Sequence, residues 1–268
     1  MAPHGDRYIL SPGRTGHARL QMLCEIHDED THELLDRAGV TVAQQYVEFG
    51  CGLGTVSLWV ASHGVDVTAI DLTQEQLAEA RDQASNAGLK NIEFREANIY
   101  EHGLPDGSFD LSYSRYLLVH LKEPVQAMRK IYKTLKPGGA MVCEEVDVSM
   151  VYTEPFVEEY HTFRDLVMLA GEKRGVDYSG GRRLHVWARE AGFEVEEIGA
   201  YQRHYLNGAH KRLWSWTFLE AGPSMLEAGL LTEEEFVRLA SGIQAADEDP
   251  EILVGHARHH QLIARKSS

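Results

Sequence analysis

The sequence predicts an α/β protein with a doubly wound parallel sheet, and two observations support this. Between residues 45 and 147, short apolar runs alternate with segments of helical periodicity, which is typical of parallel strands joined by crossover helices. A glycine-rich loop follows the first apolar run, and an aspartate ends the second. Both positions fall at the carboxyl edge of such a sheet, where doubly wound folds bind ligands.

The elements are assigned in chain order. A helix over 21–38 is followed by Gly39, a residue suited to the position after a helix end. Thr73 is expected to cap the helix over 73–87, with Gln76 completing a capping box. The predicted strands are 45–49, 65–71, 91–96, 108–114 and 140–146, and the helices between them are 55–62, 73–87 and 123–135.

The alternation loosens after residue 147. Helices are predicted over 155–171 and 182–191, a strand over 193–201, a mostly helical stretch over 207–242 and a last strand over 256–265. Residues 150–180 and 205–250 are interpreted as helical insertions that cap the sheet. Residues 1–20 contain three glycines and are interpreted as an irregular arm.

The composition disfavours several classes of function. Lysine and arginine number 26 against 41 aspartate and glutamate residues, so the net charge is −15. Nucleic-acid binding relies on clustered cations that neutralise phosphates, so no nucleic-acid partner is expected. No apolar run approaches the roughly 18 residues of a membrane span, and the first 20 residues lack the apolar core of a signal peptide.

The cysteines and histidines bear on the cellular compartment and on metal binding. The three cysteines form no CxxC motif, which indicates a reducing compartment and predicts a cytoplasmic protein. The histidines at the C-terminal end are far in sequence from any carboxylate cluster, so no metal site is predicted there. These histidines are His256, His259 and His260.

The glycine loop and the following aspartate point to a nucleoside. The loop runs from Gly50 to Gly54, with glycines at 50, 52 and 54. Glycines let a ligand approach the backbone closely, and the helix that follows offers N–H groups at its start. Asp71 lies 21 residues after Gly50, a spacing at which a carboxylate can bind ribose hydroxyls. Two alternatives are NAD, whose GxGxxG motif would need glycine at Thr55, and a structural turn beside an exposed aspartate.

Residues 40–147 resemble the class I S-adenosylmethionine (SAM)-dependent methyltransferases. Glu48–Gly54 resembles the first motif of that family, and Asp71 matches the acid after its second strand. Lys136–Gly139 (KPGG) matches the turn before its fifth strand. Residues 94–110 resemble the menaquinone/ubiquinone-type members, with Asn98 standing where those enzymes usually have aspartate.

The resemblance implies a Rossmann-like sheet of seven strands, SAM as cofactor and S-adenosylhomocysteine (SAH) as product. It implies that Asp71 binds the ribose, that Asn98 and Ile99 bind adenine, and that the glycine loop receives the methionine portion. Residues 1–40 would close over the cofactor as an arm and helix, and 41–268 would form the methyltransferase domain. The residues implied to bind the cofactor are Tyr8, Glu48, Gly50, Cys51, Gly52, Gly54, Asp71, Leu72, Asn98, Ile99, Ser114 and Arg115.

Three residues are candidates for catalysis. Methyl transfer needs an aligned acceptor and benefits from a base. His120 matches a histidine common at this point of the family, although it could equally be a structural histidine at the sheet edge. Arg115 could bind an acceptor carboxylate or form an ion pair, and Arg164 is a second candidate for an anionic acceptor. His161 lies on the first insertion.

The two glutamates of the fifth strand, Glu144 and Glu145, should point to opposite faces. At most one of them is therefore expected to serve the site.

The sequence therefore predicts methylation of oxygen or nitrogen in a small organic molecule, such as an intermediate of natural-product metabolism, by a monomer or homodimer. Carbon methylation of the quinone type and a SAM-binding protein without methyl transfer are the main alternatives. An RNA or protein methyltransferase is disfavoured because no NPPY-like motif follows the fourth strand, where residues 112–115 read SYSR. An NAD oxidoreductase is the weakest alternative.

Overall fold

The computed structural model describes residues 14–268, with side chains from residue 16 onward. The chain divides into two compact units. The sheet unit consists of residues 27–145, 180–200 and 260–268. The helix-rich unit consists of the described residues up to 26, together with 146–179 and 201–259.

Strands and helices are named in chain order. The strands are β1 Gln45–Phe49, β2 Asp66–Asp71, β3 Ile92–Glu96, β4 Phe109–Arg115, β5 Leu135–Asp147, β6 Tyr152–Glu154, β7 Glu194–Tyr201, β8 His204–Tyr205, β9 Leu253–Gly255 and β10 Arg258–Arg265. The α-helices are α1 Arg14–Ala38, α2 Thr55–Ser62, α3 Gln74–Asn86, α4 Pro124–Thr134, α5 Glu158–Arg174, α6 Leu184–Ala191, α7 Leu213–Glu227 and α8 Glu233–Glu248.

Within the described residues, seven strands form one sheet in the order β3-β2-β1-β4-β5-β10-β7. The pairs β3–β2, β2–β1, β1–β4 and β4–β5 are parallel. The chain order reverses between β1 and β4, so the carboxyl ends of these strands form the switch point where doubly wound sheets bind ligands. The predicted fold class, a Rossmann-like α/β sheet of the methyltransferase type, is confirmed.

Alternation along β1 gives the sheet two apolar faces. Tyr46 belongs to a buried cluster with side chains of α1, α2 and α3. Val47 and Phe49 belong to a second cluster with side chains of α4 and α6. Successive side chains of a strand point to opposite faces, so helices cover both faces of the sheet.

Two local predictions near the N-terminus and β2 are wrong. Helix α1 begins at Arg14 rather than near residue 21, because Arg19, Met22 and Ile26 form one buried helical face that begins inside the expected irregular arm. The side chain of Thr73 makes no capping hydrogen bond to α3, so the predicted capping box is absent there.

The helix-rich unit contains strands that the sequence analysis did not predict. Strands β6, β9 and β8 form an antiparallel three-stranded sheet, although the insertions were expected to be helical. These strands are two or three residues long, too short to show an alternating pattern. The helical stretch over 207–242 is divided into α7 and α8, and a capping box formed by Thr232 and Glu235 starts α8.

In the described part of the chain, no helix combines the length and the apolar character that a membrane span requires.

Candidate functional site

The glycine loop between β1 and α2 needs its glycines. Gly50, Gly52 and Gly54 have positive φ angles of 75°, 53° and 74°, a region that other residues occupy at a cost. A Cβ at Gly54 would also lie 3.0 Å from both the Ala80 Cβ and the Phe94 ring. Gly54 therefore packs the start of α2 against α3 and β3.

The backbone of this loop is largely engaged within the protein. The N–H groups of Gly50 and Cys51 donate to the Ile70 carbonyl at 2.8 and 3.0 Å, and that of Gly54 donates to the Cys51 carbonyl at 2.8 Å. The N–H of Gly52 donates to the Asp71 carboxylate. The loop thus offers a ligand close backbone approach rather than the N–H groups of these four residues.

Asp71 ends β2 beside the loop, and both of its carboxylate oxygens are held by backbone. Gly52 N–H donates to Oδ2 at 2.9 Å, and Thr73 N–H donates to Oδ1 at 2.8 Å. Each carboxylate oxygen can accept a further hydrogen bond. Leu72, the next residue, is 65% exposed, so an apolar surface lies directly after this acid.

Asn98 and Ile99 follow β3, the next strand of the sheet. Asn98 is exposed, and its Oδ1 accepts a hydrogen bond from Tyr100 N–H at 2.9 Å. Its Nδ2 group is therefore the donor that it can offer a ligand. Ile99 is buried in the core cluster that contains Val47. The ends of β1, β2 and β3 thus bring the predicted nucleoside residues to one edge of the sheet.

Glu48 is a buried carboxyl group on β1. It accepts a hydrogen bond from Ser57 Oγ of α2 at 2.5 Å. Burial raises the pKa of Glu48 to about 7, against the opposing effects of the Ser57 hydrogen bond and the Arg115 charge. Burial therefore favours the protonated form of Glu48 more than it is favoured in an exposed glutamate.

The end of β4 is tied to α1. Arg115 Nη1 contacts Asp28 Oδ1 and Thr31 Oγ1, each at 2.9 Å, so the ion pair that the sequence left as one of two alternatives is present. Tyr116 follows with a φ of 54°, which is unusual for a residue other than glycine. Its hydroxyl lies 3.0 Å from His27 Nε2.

A short 3₁₀ turn, Leu118–His120, comes next and carries His120. Glu145 Oε1, on β5, accepts hydrogen bonds from Leu117 N–H at 2.9 Å and Leu118 N–H at 2.5 Å. Its neighbour Glu144 accepts hydrogen bonds from the side chains of Thr31, Tyr113 and Gln261. The two glutamates therefore have separate surroundings, and Glu145 is the one that contacts the turn.

Comparison with known families identifies the segment that carries these features. Residues 47–143 match the family described as "Methyltransferase domain". This segment is a class I methyltransferase domain. Enzymes of this family depend on SAM.

One relative and two solved structures show how far the likeness extends. Phosphoethanolamine N-methyltransferase 3 of Arabidopsis thaliana is 31% identical over 62% of this chain and 32% of its own length. A putative methyltransferase from Bacillus halodurans C-125 has a TM-score of 0.63 at 18% identity, over 90% of this chain and all of that one. The [4+2]-cyclase SpnF has a TM-score of 0.58 at 23% identity, over 90% of this chain and 80% of that one.

The chain spans between about a third and three fifths of the length of the first three curated relatives it matches. The two structural likenesses are both below 25% identity, so they show the fold alone, over 90% of this chain.

Two predicted site residues fall outside the matched residues 47–143. His161 belongs to α5 of the helix-rich unit, where its Nδ1 lies 2.9 Å from Arg164 Nη1 and its ring stacks on Phe156. Its catalytic role stays a prediction. Tyr8 lies outside the described residues.

Ser114 is buried, and its hydroxyl donates to Cys143 Sγ at 3.5 Å, so only its backbone is available to a ligand.

Sequence reasoning missed several residues around the methyltransferase domain's fourth strand. Asp28 and Thr31 bind Arg115 from more than 80 positions away, and no local signal marks such a pair. The positive φ of Tyr116 likewise had no signal, because the sequence offers neither glycine nor asparagine at that point.

Proposed function

We propose that this protein binds SAM at the carboxyl edge of its sheet and transfers the methyl group to oxygen or nitrogen of a small organic molecule. The observation that carries the proposal is the Asp71 carboxylate, held beside the glycine loop by Gly52 and Thr73 N–H groups. This geometry leaves one acceptor position on each oxygen for the two hydroxyls of a ribose.

The remaining cofactor residues are assigned around Asp71. Leu72 and Ile99 would contact the adenine ring, and the Asn98 Nδ2 group would donate to a ring nitrogen. Glu48 and the backbone of Ser114 and Arg115 would lie near the ammonium end. The glycine loop, through Gly50, Cys51, Gly52 and Gly54, would receive the methionine portion, and Tyr8 would cover it. Residues 1–40 and the insertions at 150–180 and 205–250 are included in the proposal as the parts that cover the bound cofactor.

SAM, when bound, supplies a methyl group on a sulfonium ion. The chain's own contribution is to align the acceptor, which is worth several kcal/mol, and to receive its proton. His120 is our candidate for that base, since imidazole is the side chain most often used for proton transfer near neutral pH. His161 is a second candidate for a residue in contact with the acceptor.

The charges of the protein favour an uncharged or cationic acceptor. Arg115 is paired with Asp28, and Arg164 lies 2.8 Å from Asp165. These were the two arginines expected to meet an anion, and the net charge is −15. A carboxylate or phosphate on the acceptor would therefore meet an unfavourable field.

A cytoplasmic location is part of the proposal. Its support is the sparse cysteine content, three residues with no CxxC motif, which is usual in a reducing compartment.

The test combines binding with turnover. Calorimetry with SAH and with NAD identifies the cofactor, and incubation with SAM and a panel of phenols, amines, carboxylic acids and phosphoethanolamine measures SAH formation. We expect SAH binding without NAD binding, and turnover with a phenol or amine. SAH binding without SAH formation from any acceptor would instead favour a protein of this fold with another reaction, the class that the SpnF likeness keeps open.

The methylated atom needs a separate readout. Transfer of a ¹³C-labelled methyl group, followed by NMR of the product, distinguishes O- and N-methylation from C-methylation, because the methyl carbon shifts differ among the three. A carbon-bound label would replace our proposal with the quinone-type alternative.

A further inference from the structure

Glu145 is buried at the end of β5, where it binds the turn that carries His120. The side chain is fully buried, and Oε1 accepts hydrogen bonds from two consecutive N–H groups, those of Leu117 and Leu118. Within the turn, His120 N–H donates to the Leu117 carbonyl at 3.1 Å. The carboxyl group therefore caps the first N–H groups of the Leu118–His120 turn, much as a capping side chain starts a helix.

A buried carboxyl group at this position requires a reason. Burial of a carboxyl group lowers the stability of the fold unless hydrogen bonds compensate for the lost hydration. Oε2 has no hydrogen-bond partner among the described residues, so the compensation comes from backbone N–H groups, with that of Val119 added to those of Leu117 and Leu118. Burial raises the pKa of Glu145 to about 8, although these N–H groups act in the opposite direction. Burial thus shifts the group toward its neutral form, in which a carbonyl-like Oε1 binds the turn.

Strand β5 also binds Tyr116, which lies two residues before the turn. Tyr116 N–H donates to the backbone carbonyl of Glu144 at 2.9 Å, and the positive φ of Tyr116 redirects the chain there. The backbone of β5 and the side chain of Glu145 therefore fix consecutive residues between β4 and His120. Leu118 and Val119 are buried, which leaves His120 as the polar residue that this turn presents.

We propose that Glu145 is a positioning residue, whose Oε1 holds the Leu118–His120 turn and so sets the direction of the His120 imidazole for proton transfer. This inference rests on the proposed function, in which His120 receives the proton of the acceptor. It assigns a role in the reaction to a strand residue that does not itself contact the reacting atoms.

Two substitutions separate the hydrogen-bond role from simple filling of space. Glu145→Gln keeps an oxygen acceptor and the shape of the neutral side chain, whereas Glu145→Met keeps the length and removes the acceptor. Glu145→Asp, which withdraws the carboxyl group by one methylene, replaces Glu145→Met if the latter does not fold. Leu262→Ala is the matched control, because Leu262 is fully buried in the same apolar cluster as Leu118 and its truncation removes core packing while the Glu145 acceptor stays in place.

The first readout needs no acceptor. Amide hydrogen exchange of the peptide over 116–121 and the imidazole NMR signal of His120, assigned with His120→Gln, are compared in the protein bound to SAH. We expect faster exchange and a moved His120 signal in Glu145→Met, with wild-type behaviour in Glu145→Gln and Leu262→Ala. Wild-type exchange and an unmoved signal in Glu145→Met would overturn the inference.

The second readout is turnover with an acceptor taken from the panel above. Glu145→Met should lower kcat by about tenfold to a hundredfold, with the KM for SAM changed less than threefold and Glu145→Gln close to wild type. Equal loss of kcat in Leu262→Ala would overturn the positioning role. If His120→Ala itself turns over at the wild-type rate, the base assignment of the proposed function fails, whereas the exchange and NMR results still report on Glu145.

Discussion

Two carboxyl groups of the sheet unit and two of the helix-rich unit are fixed in different ways, although distant side chains also bind Glu144 in the sheet unit. In the sheet unit, Asp71 and Glu145 accept hydrogen bonds from backbone N–H groups of nearby loops and turns. In the helix-rich unit, side chains pair with side chains far away in sequence, as Arg19 does with Glu220 and Tyr160 with Asp247. Backbone-held carboxyl groups keep a fixed direction for a ligand or a turn, whereas paired side chains serve mainly the packing of their own unit.

Breaking a pair in the helix-rich unit should have the largest effect on stability. Arg19 and Glu220 are both buried and lie 2.5 Å apart. Arg19→Met leaves the Glu220 carboxylate unpaired, so we expect a loss of about 3–5 kcal/mol in the free energy of unfolding, measured by urea titration.

The double variant Arg19→Met/Glu220→Leu is the control for that prediction. Removing both charges should recover most of the loss, because an apolar pair of similar volume is often as stable as a buried ion pair. A double variant as unstable as the single one would mean that shape, rather than the unpaired charge, causes the loss.

Local and long-range contacts differ in how far the sequence predicts them, in both units. The bounds of β1 and α2 match the prediction at every residue, because apolar periodicity and the glycine turn are local signals. The position of Asp71 beside the loop also follows from spacing along two parallel strands. The pair of Arg115 with Asp28 spans 87 positions, and the strands of the helix-rich unit are too short to carry a pattern, so neither could be predicted.

A methyl group added to the glycine loop tests how far the stability of the sheet unit depends on close packing at Gly54. At Gly54 the added Cβ meets Ala80 and Phe94 at 3.0 Å, and φ is 74°. We expect Gly54→Ala to lower the free energy of unfolding by about 2–4 kcal/mol, from the left-handed backbone and from overpacking. SAH affinity, measured by calorimetry, should fall as well.

Gly64→Ala is the matched control, because Gly64 has a φ of 84° and no atom within 4 Å of the added Cβ. It should cost only the backbone part, about 1–2 kcal/mol, and leave SAH affinity unchanged. Equal losses in the two variants would show that the packing of Gly54 against α3 contributes nothing.

One buried group in each unit should make the stability of the protein depend on pH, and the two groups act in opposite directions. Burial lowers the pKa of His256, in the helix-rich unit, to about 4, and raises the pKa of Glu48, in the sheet unit, to about 7. Below pH 6.5 the unfolded chain protonates His256 more readily, so this group destabilises the fold as the pH falls from 6.5 to 4. The folded chain holds the Glu48 proton more tightly, so Glu48 lowers stability as the pH rises from 4.5 to 7.

Each of these contributions should reach about 3 kcal/mol. The free energy of unfolding, measured at pH values from 4 to 8, should depend less on pH below 6.5 in His256→Phe than in the wild type. In Glu48→Gln it should depend less on pH between 4.5 and 7. The comparison of variants is needed because burial also raises the pKa of Asp247, in the helix-rich unit, to about 6. Curves parallel to the wild type in both variants would contradict the assignment of these groups.

The most direct test of the account is the affinity of SAH for Asp71→Ala, measured by calorimetry beside Asp66→Ala on the same strand. Asp66 is exposed at the other end of β2, where it accepts a hydrogen bond from Gln45, so its loss should leave SAH affinity unchanged. We expect Asp71→Ala to weaken SAH binding by about a hundredfold, or about 2.7 kcal/mol, while the protein stays folded. Equal affinity in the two variants would contradict the claim that the backbone-held carboxylate of the sheet edge binds the ribose of the cofactor.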